Sequence, residues 1–178
     1  MRSFRSLAIL LLCWPILLAV PVPVQASVTV AWDPNTEPDL VGYKLYYGTA
    51  SRDYPNVIEV GNVTSWTVTD LAPGQTYYLA VTALNASAES DYSAELVCHS
   101  VQASAGANGS ITGTLVQTVN HGADCSAVTA VPNANYHFVN WTGGYTGIDN
   151  PLTVTNITSD LTITANFTIN QYTVTFVA

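Results

Sequence analysis

Hydrophobic and polar residues alternate with a period of two along most of this chain. Val28, Val30 and Trp32 fall on one parity, Thr29 and Ala31 on the other. The alternation returns over residues 42–48, with Tyr43, Leu45 and Tyr47 on one face and Lys44 on the other. It is clearest over residues 66–83. Trp66 and Val68 share a face, Leu71 closes the strand, Pro73-Gly74 turns the chain, and Tyr77, Leu79, Val81 and Ala83 repeat every second residue. This period belongs to half-buried strands, and a Pro-Gly pair reverses the chain between them. Residues 57–60 read as a short strand between the turns at 52–56 and 61–62, and residues 91–97 read as the last strand. Six short strands separated by turn signals predict a β-sandwich over residues 27–97.

The Leu71-x-Pro73-Gly74-x-x-Tyr77 corner resembles the E–F corner of a fibronectin type III domain. Trp32, the strand carrying Tyr43–Tyr47, Trp66, Leu71 and Tyr77 stand where that immunoglobulin-like family places its core. The resemblance implies that Tyr77 gives its hydroxyl to a backbone group at the corner. One departure matters: the family has a strand before the one ending at Trp32. Either residues 21–26 supply it, or the sandwich is open on that side, and an open edge invites another strand.

Residues 98–170 have a different texture. Gly106-Ala-Asn108-Gly109 is a hairpin signal between expected strands at 99–105 and 110–119. Further strands are expected at 125–131, 136–142, 152–155 and 161–167, with a glycine-rich loop at 143–151 and little helix. The step from Phe138 to Trp141 breaks the alternation and predicts a bulge or a strand end. Five stretches carry a resemblance to divergent internalin B-type repeats of bacterial surface proteins: 105–111, 118–122, 128–130, 136–143 and 161–167. That resemblance implies a small β-grasp-like, all-β module in an extracellular tandem array, with Tyr136, Phe138 and Trp141 in its core. Residues 171–178 alternate again, with Tyr172, Val174 and Phe176 on one face. They align with residues 98–105 at an offset of 73, as the start of a second, truncated repeat would.

Composition narrows the functional classes. Charged residues make up only 9 % of the 178 residues, too few for the wet faces of long helices. Residues 1–26 open with Arg2 and Arg5, run apolar from 7 to 20, and end on Pro21, Pro23 and small residues before Ser27. This is the pattern of a secretory signal peptide; a membrane anchor is the alternative, and the apolar run is short for a span. Beyond it lie all twelve acidic residues but only Lys44 and Arg52 among the basic ones, a net charge of −10. Such a surface repels phosphate backbones and offers no polybasic patch to a membrane, so neither nucleic acid nor membrane insertion after signal removal is expected.

Candidate chemistry is sparse. Cys98 and Cys125 form an even pair in an oxidising compartment and are disulfide candidates. With His99 and His121 they are the one conceivable zinc set, at a spacing that matches no common pattern. Asp33, Asn35, Glu37 and Asp39 alternate like the start of a calcium loop. Pro38 and Lys44 occupy the positions of the turn glycine and the bidentate glutamate, so only a weak metal site or a capped, solvated loop remains. Six Asn-x-Ser/Thr sequons, at Asn62, Asn85, Asn108, Asn140, Asn156 and Asn166, arise readily in a chain this rich in Asn, Ser and Thr. No catalytic set and no cofactor are expected. The expected protein is bacterial, secreted or on the cell surface, and not an enzyme. It would act in adhesion, presentation or spacing toward an extracellular protein or polysaccharide. The alternative is an accessory carbohydrate-binding part of a polysaccharide-degrading system, and an outward row of Tyr46, Tyr78 and Tyr145 would favour it.

Overall fold

The computed structural model describes residues 25–176; the expected signal segment, all but Gln25 and Ala26, lies outside the described residues, as do Val177 and Ala178. Eleven strands and no helix occur among the described residues. They are β1 (Ala26–Ala31), β2 (Leu40–Gly48), β3 (Asn56–Gly61), β4 (Ser65–Leu71), β5 (Tyr77–Asn85), β6 (Leu96–Ala105), β7 (Gly109–Thr112), β8 (Val116–Asn120), β9 (Thr129–Pro132), β10 (Tyr136–Gly143) and β11 (Leu161–Ile169).

The first module is a sandwich. β1 pairs antiparallel with β4 as a two-stranded sheet, and β3, β2, β5 and the first residues of β6 form the facing sheet. The period-two faces meet between them: Val28, Val30, Tyr43, Leu45, Val68, Leu71, Tyr77, Leu79 and Cys98 are buried together, with Trp32 and Tyr47 packed on the rim. Trp66, expected in this core, is 38 % exposed and outside the cluster. It shares the inner face with Val68 and pairs with the buried Val30, but it lies at the start of β4, beside the exposed turn at residues 62–64.

The expected strand at 91–97 is shifted. Residues 91–95 follow β5 without forming a ladder, because Ser90 and Ser93 accept the Ala83 and Val81 amides with their side-chain oxygens. β6 then begins at Leu96 and runs without interruption to Ala105, so one strand serves both modules. Its residues 96–98 pair with β5 (Tyr77↔Cys98), and residues 101–105 pair in parallel with β11 (Leu161↔Val101). Along its opposite edge β8 pairs from Cys98↔Asn120 to Gln102↔Val116. The order β10-β11-β6-β5-β2-β3, with β8 on the far edge of β6, is therefore one seven-stranded sheet spanning the chain.

β8 also passes close to β1 without bonding to it, and Val116 packs against the first core. A strand from the second module thus flanks the side of the sandwich where the first module's extra strand was expected. Residues 21–24, the other candidate for that edge, lie outside the described residues.

Several expectations for the second module change. The 110–119 run is two strands, because Gly113 breaks it at φ +105°, where a side chain would also meet the Ala127 carbonyl. The expected antiparallel pairing of 99–105 with 110–119 is made by the second half of that run alone, β8, while the first half, β7, pairs with β9. The runs at 125–131 and 152–155 reduce to β9 and a lone bridge between Val128 and Leu152. The Phe138–Trp141 step is a bulge in the β10–β11 ladder. It turns Trp141 fully inward (0 % exposed), where its Nε1–H donates to the Asp149 carbonyl at 2.8 Å. Phe138 is half-buried against Trp141 and Phe167, and Tyr136 is half-buried at the strand start. Beyond β11, Gln171–Phe176 adds no strand, and Tyr172, Val174 and Phe176 are exposed.

Candidate functional site

Two polar assemblies stand out from these cores. The first lies on the outer face of the β3-β2-β5 sheet. Tyr46 on β2 has the parity opposite to Leu45, so it points away from the core. The loop after β5 folds back over it and is fastened by two glutamates. Glu89 accepts hydrogen bonds from the Tyr46 hydroxyl, from the Thr82 hydroxyl (2.7 Å) and from Lys44 Nζ (2.9 Å). These bonds, the Tyr46 one foremost, hold its carboxyl down at about 2, and the Tyr46 hydroxyl is pushed up in turn. Glu95 accepts from the Ser51 hydroxyl (2.8 Å), the Arg52 amide (2.7 Å) and the Tyr54 hydroxyl (2.7 Å). Its carboxyl is lowered, chiefly by the Tyr54 bond, while burial and Glu95 push Tyr54 up to about 12.

Between the two glutamates stands Tyr92, with 54 % of its surface exposed. Its ring meets Tyr46 edge-on at 4.9 Å and Tyr54 at 5.2 Å between centroids. A hollow of about 370 Å³ beside it is lined by Arg52, Tyr54, Tyr92, Ser93, Ala94 and Glu95. A second, of about 300 Å³, reaches Tyr92 from Trp32, Asp33 and Asp91. Tyr54 and Tyr92 were not singled out by periodicity, since both sit outside strands. The available signal was a tyrosine bracketed by Glu89 and Glu95 in a loop. The row of Tyr46, Tyr78 and Tyr145 that would have favoured the accessory carbohydrate-binding alternative does not form: Tyr145 belongs to the second module, packs against its core and donates to Asp149.

The second assembly is the junction. The 71–77 corner lies against β6: Ala72 N–H donates to the Tyr77 hydroxyl oxygen (2.9 Å), and Gly74 N–H, at φ +76°, donates to Ser100 Oγ (2.8 Å). His99, 6 % exposed, bonds Thr76 Oγ1 through Nδ1 (3.1 Å) and His121 Nδ1 through Nε2 (2.9 Å). Asp160 lies 3.9 Å from Nδ1 and accepts the Ser100 amide. Burial lowers the His99 pKa, opposed by Asp160 and reinforced by His121.

The cysteines and the acidic loop contribute no further site. Cys98 and Cys125 are both free thiols, a correction to the expected disulfide. Cys98 points into the first core and donates to Asn120 Oδ1, and burial pushes its thiol up to about 11. Cys125 packs with Val101, Val119 and Ile157 and accepts the Val154 amide. Only His99 and His121 of the conceivable zinc set meet. In the acidic loop Asn35, Glu37 and Asp39 line a hollow of about 250 Å³ while Asp33 borders another. Asp39 is taken by Asn85 Nδ2 (2.8 Å). Among the described residues no three His, Cys, Asp or Glu side chains gather as metal ligands would.

Comparison with known proteins follows the same division. Residues 22–99 match the model of the fibronectin type III domain, and residues 99–171 match that of the divergent InlB B-repeat domain. A curated relative, the Kelch domain-containing protein SSO1033 of Saccharolobus solfataricus, is 44 % identical over 59 residues. Those residues make up 33 % of this chain and span 8 % of that protein. The chain is a fibronectin type III domain followed by a divergent InlB B-repeat domain, two domains of modular surface and extracellular proteins.

Proposed function

We propose that the chain works by presentation and adhesion at the cell surface or in the medium, as a non-catalytic spacer that holds a binding face at a fixed attitude. The observation that carries this reading is β6. A strand running through both modules, with β5 and β11 along one edge and β8 along the other, leaves no linker between them. A flexible tether would need a polar or Gly/Ser-rich connector; here the connector is the central strand of a sheet. Residues 171–178 would then begin the next repeat and extend the array. The aromatic face on the first module, Tyr46, Tyr54 and Tyr92 braced by Glu89 and Glu95, is the contact surface, toward an extracellular protein or a polysaccharide.

Fractionation of producing cells tests the location and the role together. Antibody against the chain should find it in the medium or on intact cells, and surface proteolysis that removes it should reduce attachment. Retention in the cytoplasm would overturn the reading, and so would attachment that survives its removal.

A further inference from the structure

We infer that the hollow beside Tyr92 binds a neutral polysaccharide of hexopyranose units, with Tyr92 as the stacking platform. The inference names the partner of the proposed contact face, and rests on that reading only for where the ligand is met.

The chemistry of the lining selects the ligand. Tyr92 is the exposed member of a braced trio, its ring held edge-on by Tyr46 and Tyr54. A ring fixed in this way offers a flat apolar face at little entropic cost, which suits the C–H face of a pyranose. The Tyr46 and Tyr54 hydroxyls already donate to Glu89 and Glu95, so they are not donors to a ligand. Ser93 Oγ is likewise engaged, accepting the Val81 amide and donating to the Ala94 carbonyl, so what the hollow presents is Glu95 and Arg52. Glu95 uses three of its roughly four acceptor sites on residues 51–54 of the neighbouring β2–β3 loop, leaving about one on a carboxylate that cannot swing away. Arg52, at φ +59° and with no ion pair among the described residues, supplies donors at the rim. The ligand must therefore bring hydroxyl donors, hydroxyl or ring acceptors, and one apolar face.

A proline-rich peptide brings an apolar face and carbonyl acceptors but lacks the donors that a fixed carboxylate requires. An acidic polysaccharide would meet Glu95, Glu89 and a surface of net charge −10 outside residues 1–26. A neutral polyol satisfies all three terms. Tyr92 borders hollows on two sides, of about 370 and 300 Å³, so the footprint suits successive units of a chain over a lone monosaccharide.

The test is a chemical-shift titration of the ¹⁵N-labelled protein with cellohexaose, chitohexaose and mannohexaose, alongside a galacturonate hexamer and a proline decamer. At least one neutral oligomer should shift the amides of residues 51–54 and 91–95, with a Kd near the millimolar scale, about −4 kcal/mol. Tyr92→Ala, at a side chain already more than half exposed, should weaken that binding about tenfold or more, one power of ten being about 1.4 kcal/mol. Tyr145→Phe in the second module should leave it unchanged. Silence toward all three neutral oligomers, binding of the galacturonate or the proline decamer alone, or full affinity in Tyr92→Ala would each overturn the inference. Failure here would leave the surface reading standing on its own test, since cell fractionation does not depend on the ligand.

Discussion

Tyr77→Phe isolates one atom of the corner. The ring is 7 % exposed and packed in the first core beside Tyr47, at 6.5 Å between centroids; phenylalanine keeps all of that. What is lost is the hydroxyl oxygen that accepts the Ala72 amide at 2.9 Å. An orphaned buried donor costs about 1–3 kcal/mol. Ala72 is itself exposed, so water reaches part of the amide and the cost falls near the low end, about 1 kcal/mol. For a chain of this size that lowers Tm by roughly 2–4 °C. Urea unfolding should show a reduced midpoint with an unchanged slope, and exchange of the Ala72 amide should accelerate by more than the uniform change shown by amides that open through global unfolding. Removing the ring as well, in Tyr77→Ala, should cost about 3–5 kcal/mol, which separates packing from the hydroxyl. An unchanged midpoint in Tyr77→Phe, together with unchanged exchange at Ala72, would refute the reasoning.

The buried thiols, Glu89 and His99 each carry a further prediction. Alkylation mapped by mass spectrometry should leave Cys98 and Cys125 unmodified in the native protein and label both, without reductant, after unfolding; a Cys98–Cys125 cross-linked peptide would contradict the structure. Glu89 has a folded-state pKa of about 2 against an ordinary 4.5, so the unfolded chain takes up this proton first, and the clip's contribution is present above pH 4.5 and lost as pH falls toward 2. Glu89→Gln should flatten that acid limb of the urea midpoint, by an amount reduced through solvent screening of a partly exposed carboxylate. His99 is lowered by burial while Thr76, His121 and Asp160 face it, so its protonation favours the unfolded chain and stability should decline as pH drops below about 6.5. His99→Gln should remove that decline.

What was legible in the sequence was local. Period-two faces gave Val28, Tyr43, Leu45, Val68 and Leu79 their inward direction, because side-chain direction in a strand follows from position alone. The corner from Leu71 to Tyr77 and the Phe138–Trp141 bulge were legible for the same reason. Pairing was not. β6 reads as a boundary because composition changes near Cys98, yet its partners are β5, β8 and, sixty residues away, β11. Nothing near residue 98 encodes that choice. Trp66 has the right parity and the wrong place along the strand, which alternation does not report. The Tyr46–Tyr92–Tyr54 cluster is assembled by Glu89 and Glu95 across more than forty residues, and all its members but Tyr46 lie outside the strands, where no periodicity marks them.

β6 makes one body of the two modules. Methyl NMR through a urea titration tests this most directly, with Leu45 reporting the first core and Ile163 the second, both essentially buried. The shared strand predicts one midpoint and one slope for the two reporters, as cooperative unfolding requires. Two separated midpoints, with one core intact while the other is unfolded, would contradict it.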